Sequence, residues 1–219
     1  MKASVIGSTG LVGGHLLRLL ANDKSFSEVY SIARRSQDIQ HNRIKSIAID
    51  FDNLERYKSS LTTDIVFCAL GTTIKKAGSK EQFIKVDYDY VLNSAKICKE
   101  NGVSKFLVVT ALGSDPNSLV FYNQVKGKLE QELGNLQLPF LGIFRPSLLL
   151  GERGEVRTGE KFGEILLGGL SFALQGPLRK FRAIRAEDVA RAMIQISKEP
   201  LSGVNIYESD KIQSIANSA

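Results

Sequence analysis

Apolar side chains recur along this chain at two spacings. Consecutive or near-consecutive apolar runs occupy residues 3–6, 28–33, part of 44–51, 64–70, 105–110 and 140–144. Runs this short predict strands, and the nearly all-apolar run 64–70 predicts a parallel strand covered on both faces. Between them lie amphipathic segments. Residues 15–21 carry Leu16, Leu17, Leu19 and Leu20, while 83–101 carry Val86, Tyr90, Val91, Ala95 and Ile97, with Gly102 just beyond. Both predict helices, as do 121–133 and 185–197. Residues 53–57 predict a short helical turn, 74–80 a mobile polar loop and 151–158 a charged loop. Residues 160–174 have helical spacing through Phe162, Ile165, Leu166 and Leu170, 175–183 return the chain, and 203–207 predict a last strand. Strands alternating with helices define an α/β class, a doubly wound parallel sheet of Rossmann type. One domain covering 1–219 is expected, with 149–183 as a partly helical C-terminal region on the substrate side.

The first strand ends in Gly7-Ser8-Thr9-Gly10-Leu11-Val12-Gly13, and a helix follows at once. Strand, glycine turn and helix together open a dinucleotide-binding unit. Gly7 permits the turn, Gly10 lets backbone approach a pyrophosphate, and Gly13 lets helix pack on strand. The unpaired N–H groups and dipole of that helix favour the anion. The G-x-x-G-x-x-G spacing points to the short-chain dehydrogenase/reductase form of the loop. Where NAD-binding chains place a carboxylate after the second strand, Arg34 and Arg35 stand here. A guanidinium can hold a 2′-phosphate that a carboxylate would repel, so the expected cofactor is NADPH/NADP rather than NADH. At the end of the third strand, Asp50 could accept from an adenine amino group with Phe51 over the base edge. Equally, the pair could simply turn the strand into a loop. Gly71 and Thr72, after the fourth strand, are small enough for backbone to pass close to the cofactor.

Composition narrows the reading only slightly. The 219 residues are 43% hydrophobic and 24% charged, ordinary for a globular protein. No apolar run is long enough for a membrane span and no charged-then-apolar leader precedes the first strand, so a cytoplasmic protein is expected. The net charge of +6 is scattered and lacks an aromatic-interleaved basic strip, which argues for a polyanionic cofactor and against nucleic acid. Cys68 and Cys98 are expected to be buried thiols, and with His15 and His41 they make no metal site.

Tyr122 and Lys126 stand four apart on a predicted helix and share a face. A nearby ammonium favours tyrosinate, which suits the phenol to proton transfer, and the lysine can also reach a nicotinamide ribose. Tyr207 and Lys211 repeat the spacing, but the former lies in a predicted strand, where four residues need not align a pair. A hydroxyl that binds the substrate oxygen is expected after the fifth strand, from Thr110 or Ser114, with Ser114 the better placed.

With these residues in hand, the chain resembles an atypical short-chain dehydrogenase/reductase, and more narrowly the oxidoreductase family related to the Tat-interacting protein. The resemblance is carried by 68–73, by Val86-Asp87-Tyr88-Asp89-Tyr90-Val91, by 121–127 and by Phe144-Arg145-Pro146. It implies a Rossmann sheet with NADPH. The cofactor would be lined by Ser8, Thr9, Gly10, Leu11, Val12, Arg34, Arg35, Leu70, Gly71, Thr72, Tyr122, Lys126, Pro146, Leu149 and Arg157. The serine usual after the fifth strand in the wider superfamily is not obvious here. Two functions follow: reduction of a small carbonyl-type substrate, or NADPH sensing by a regulatory protein that recruits a partner through its C-terminal third. A sugar-nucleotide epimerase is a third option, against which the short C-terminal region speaks. Monomer and homodimer both remain open.

Overall fold

The computed structural model describes residues 1–151 and 174–218. Strand β1 (Lys2–Ile6) leads through the glycine turn into α1 (Leu11–Asn22), and β2 (Glu28–Ala33) and β3 (Ile44–Ala48) follow. A 3₁₀ segment (Phe51–Leu61) precedes β4 (Ile65–Cys68), then come α2 (Ile74–Ala77) and α3 (Lys80–Ile84). A π-turn (Lys85–Asp89) joins α3 to α4 (Tyr90–Glu100). After β5 (Lys105–Val109), α5 (Phe121–Asn135) and β6 (Phe140–Arg145), a short β7 (Leu149–Leu150) pairs with β8 (Ile184–Arg185). Helix α6 (Ala186–Lys198), β9 (Gly203–Glu208) and α7 (Ser209–Asn217) close the chain.

The main sheet has seven strands in the order β3-β2-β1-β4-β5-β6-β9, every pairing parallel. The chain reverses direction across the sheet between β1 and β4, and in such folds ligands bind in the crevice beyond the carboxyl ends of strands at that point. Each face of the sheet carries its own core. Leu16, Leu20, Phe26, Phe67, Phe144 and Met193 pack with α1 and α6 on one side, and Phe106, Ile97, Leu129 and Leu141 with α4 and α5 on the other. Tyr207 lies in β9, and its buried ring stacks on Phe144 at 4.9 Å. Burial pushes its phenol above the ordinary value. Lys211 belongs to the next helix, α7, so this second tyrosine–lysine spacing makes no helical pair.

Two expectations are corrected. Residues 74–80 are not a mobile loop: the Thr73 hydroxyl accepts from the Lys76 N–H at 3.1 Å and caps α2, while Ser79 accepts from the Gln82 N–H and caps α3. Local capping bonds of this kind satisfy the first-turn donors that would otherwise leave so short a helix frayed. The helix expected over 83–101 begins earlier, at Lys80, and is interrupted by the π-turn. The helix expected over 160–174 and the loop expected over 151–158 lie, apart from Gly151 and Leu174, outside the described residues.

Candidate functional site

A cleft of about 410 Å³ opens at the carboxyl ends of β1, β2 and β4. Gly7, Thr9, Gly10 and Leu11 form its floor, and Ala33 and Arg34 one end. Phe51 adds an aromatic wall, and Leu70, Gly71 and Thr72 the opposite side. Lys76 from α2, Gln82 from α3, Val86 from the π-turn and Tyr90 from α4 also reach it. The floor is built for close approach. Gly7 has φ +80°, and a β-carbon there would lie 2.8 Å from Ala69 and Leu70 backbone atoms. At Gly13 a β-carbon would lie 2.2 Å from the Gly7 carbonyl oxygen, so only glycine lets α1 rest on the turn. Gly10 caps α1 without a side-chain bond, and the first turn holds no acidic residue. Amide donors aimed at an acid-free floor fit a pyrophosphate.

Other expected cofactor residues sit elsewhere. Ser8 is buried, its hydroxyl bonded to Ser31 and taking the Gln37 amide N–H at 2.8 Å. Val12 belongs to the core beneath α1. Arg35 is exposed and does not line the cleft, whereas Arg34 does. Asp50 is committed locally: its oxygens take the Asp52 N–H at 3.0 Å and the Asn53 amide at 2.7 Å, capping the 3₁₀ segment. Phe51 stacks on Tyr90 at 5.2 Å. Tyr90 in turn donates to Asp52, which also pairs with Lys85. Pro146 is buried and Leu149 half-buried in β7, while Arg157 lies outside the described residues.

Behind the Gly71 wall stands the part of the site that the helical spacing foresaw only partly. Tyr122 and Lys126 share α5, and Tyr122 packs its ring on Phe83 at 5.4 Å. Lys126, however, is not a free cation beside a phenol. Its Nζ lies 2.8 Å from Asp87 Oδ1, and the two side chains are 3% and 1% exposed. Burial alone would pull the ammonium down, but the Asp87 carboxylate and the nearby Tyr122 phenol outweigh it and hold it above its ordinary value. Asp87 Oδ2 accepts the Thr72 N–H at 2.8 Å, which ties the cleft wall to the same carboxylate. A β-carbon on Gly71 would meet Asp87 Oδ1 at 3.3 Å and Lys126 Nζ at 3.9 Å, so the pair lies directly against the backbone of the cleft wall. Asp87 was missed as a site residue. Its signal was a carboxylate in line with Phe83 and Val91 on an apolar face, where a charge is costly unless partnered.

Both candidate hydroxyls donate to backbone carbonyls: Thr110 to Phe144 at 3.3 Å and Ser114 to Ala111 at 2.7 Å. The loop carrying Ser114 lies on the first turns of α5, since β-carbons on Gly113 and Gly127 would strike Asn123 and Asp115 respectively. Cys68, at the end of β4, is buried, and burial pushes its thiol up to about 11. Among the described residues no cluster of His, Cys, Asp or Glu could hold a metal ion.

A glycine-floored cleft at the switch point of a parallel sheet is the architecture of a nicotinamide-dinucleotide-binding protein. A family profile described as NAD(P)H-binding matches residues 7–200, and the chain belongs to that family. It is 34% identical over 203 residues to Protein HTATIP2 of Rattus norvegicus, covering 91% of this chain and 82% of that one. It is also 33% identical to Protein FMP52, mitochondrial, of Debaryomyces hansenii, covering 92% and 90% of the two chains. The resemblance drawn from the sequence is borne out. Among solved structures, the oxidoreductase ylbE from Lactococcus lactis superposes with a TM-score of 0.70 at 20% identity, covering 100% of this chain and 96% of that one. MoeE5 in complex with UDP-glucose and NAD gives 0.69 at 15%, covering 100% and 81%. At those identities the two structures speak for the Rossmann fold alone. The cytoplasmic expectation is corrected: several relatives are named mitochondrial, which points away from a purely cytoplasmic location. Composition and short apolar runs describe a folded surface and fix no compartment. Among the described residues no helix is long and apolar enough to cross a membrane.

Proposed function

We propose that this chain is an NADPH-dependent reductase acting on a small carbonyl-type acceptor. The observation that supports the reading is that Tyr122 and Lys126 share α5, with the Lys126 Nζ close behind the Gly71 backbone that walls the cleft. A dihydronicotinamide bound in the cleft supplies the hydride. Tyr122 donates its phenolic proton to the acceptor oxygen, while Lys126 holds the ribose and steadies the phenol. Ser114 is our choice for orienting the acceptor oxygen, because its loop is pinned to the first turns of α5. Arg34, at the end of β2, holds the 2′-phosphate. The region 149–183 forms the substrate side.

A second reading, an NADPH-sensing interaction protein, draws on Leu119 and Val120, which are 103% and 58% exposed just before α5. The test separates the two. Tyr122→Phe is expected to abolish NADPH oxidation with a panel of aldehydes, ketones and quinones, while NADPH affinity stays within about twofold because only one hydroxyl is lost. Turnover at the parent rate in Tyr122→Phe removes the assigned role. A parent protein that binds NADPH, reduces nothing and gains a partner only when loaded favours the sensing reading.

A further inference from the structure

The loop that leaves β2 is fastened to the glycine turn by one side chain. Gln37 Nε2 donates to Ser8 Oγ at 2.8 Å and to Ser31 Oγ at 3.2 Å, and the Ser31 hydroxyl donates to Ser8 Oγ at 2.9 Å. Ser8 and Ser31 are each 1% exposed, so the amide reaches from a surface loop to a buried pair of hydroxyls. The Gln37 backbone is held as well, its N–H donating to Ser46 Oγ in β3 at 2.7 Å. At the other end of the loop the Ala33 carbonyl accepts the Ile49 N–H at 2.9 Å. Residues 34–36 therefore run between two fixed points. Resting on the reading of Arg34 as the residue that holds the 2′-phosphate, we infer that Gln37 is a positioning residue, seating Arg34 against the glycine turn and so setting the preference for the phosphorylated nucleotide.

The exposed Arg34 lines one end of the cleft. A long side chain on a free loop loses conformational freedom when it grips a phosphate, and fixing its backbone beforehand removes part of that loss. The acceptor that Gln37 uses belongs to the right element. Ser8 follows Gly7, and the Gly7 N–H and Ser8 hydroxyl both meet the Ile32 carbonyl, at 3.1 and 3.4 Å. One amide thus links the turn suited to a pyrophosphate with the loop that carries the guanidinium. Opening this clamp takes a donor from each of two buried hydroxyls, which opposes it. A nucleotide without the 2′-phosphate makes no demand on Arg34, so a loosened loop is felt by one nucleotide and not the other.

The test is a double-mutant cycle on the full chain, with NADPH and NADH affinities measured by fluorescence titration. Gln37→Leu keeps most of the side-chain volume but cannot donate. It is expected to weaken NADPH binding about fivefold or more and to leave NADH binding within about twofold of the parent. In an Arg34→Ser background the same change is expected to alter NADPH binding by less than about twofold, because no guanidinium remains to be seated. A merely structural role lowers affinity in both backgrounds or for both nucleotides, and either result overturns the inference. Unchanged NADPH affinity in Gln37→Leu, where Arg34→Ser alone weakens it, overturns the inference and leaves the Arg34 reading standing. If the parent binds no NADPH, or Arg34→Ser changes nothing, the Arg34 reading fails and the role of Gln37 with it. Should Gln37→Leu not fold, Ser46→Ala removes the acceptor of the Gln37 N–H instead, with an expected loss of about threefold for NADPH alone; no loss in that variant overturns the inference.

Discussion

Gly127 follows Lys126 in α5, and a β-carbon there would lie 2.1 Å from the Asp115 carbonyl carbon and 2.2 Å from the Pro116 nitrogen. Both are backbone atoms of the Ser114 loop, so neither can rotate aside. Reaching an ordinary contact of 3.4 Å requires loop and helix to part by roughly 1 Å. Overpacking of this kind costs about 1–3 kcal/mol, and the better helix propensity of alanine returns up to about 1 kcal/mol. Gly127→Ala is therefore expected to destabilise by about 1–2 kcal/mol, lowering Tm by roughly 2–8 °C at this chain length. Gly134 provides the control within the same helix, because nothing lies within 4 Å of its β-carbon position. Gly134→Ala is expected to stabilise by about 0.5–1 kcal/mol. Urea unfolding followed by circular dichroism measures both. If Gly127→Ala is as stable as Gly134→Ala, the loop does not rest on the helix as described, and the support for Ser114 goes with it.

Two further outcomes are expected. Arg34→Ser should weaken NADPH binding about tenfold or more and leave NADH binding unchanged, since one charge-assisted contact to a phosphate is lost; equal losses for both nucleotides would show that Arg34 does not read the phosphate. The raised Cys68 pKa, about 11, leaves almost no thiolate near pH 8, and the population grows only as pH climbs towards that value. Alkylation of native Cys68 at pH 8 should be at least roughly 100-fold slower than that of free cysteine, as peptide mapping can show; a free-cysteine rate would contradict its burial.

The sheet was legible because buried parallel strands leave little choice of residue: Ile65–Cys68 and Phe140–Arg145 are nearly apolar throughout. The glycine turn was legible for the same kind of reason, since backbone contacts below 3 Å at Gly7 and Gly13 exclude any side chain. The helices after Thr73 and Ser79 were overlooked although the signal was present. Ser79 followed three residues later by Gln82 is a capping-box pattern, but lysines around it looked like a solvated loop. Asp50 could not be resolved from sequence, because capping a short helix and accepting from a base call for the same carboxylate. Asp87 showed in the sequence only as a carboxylate on an apolar face, and the identity of its partner needed the fold itself. Only the packing of the π-turn against α5 brings it to Lys126, and its sequence neighbours carry other acids, Asp89 among them, that point to solvent.

The π-turn also constrains how this segment can vary. Phe83, Asp87, Val91 and Ala95 are all fully buried, four residues apart. In a regular α-helix each such step overshoots a full turn by about 40°, so the first and last would face directions about 120° apart. The extra residue in the wide turn absorbs about 100° of that drift and keeps the four in one line. A deletion of one residue between 85 and 89 would put the two halves out of phase and swing the carboxylate away from its ammonium, with every remaining side chain unchanged. The length of this segment thus constrains the fold as tightly as the identity of any one of its side chains.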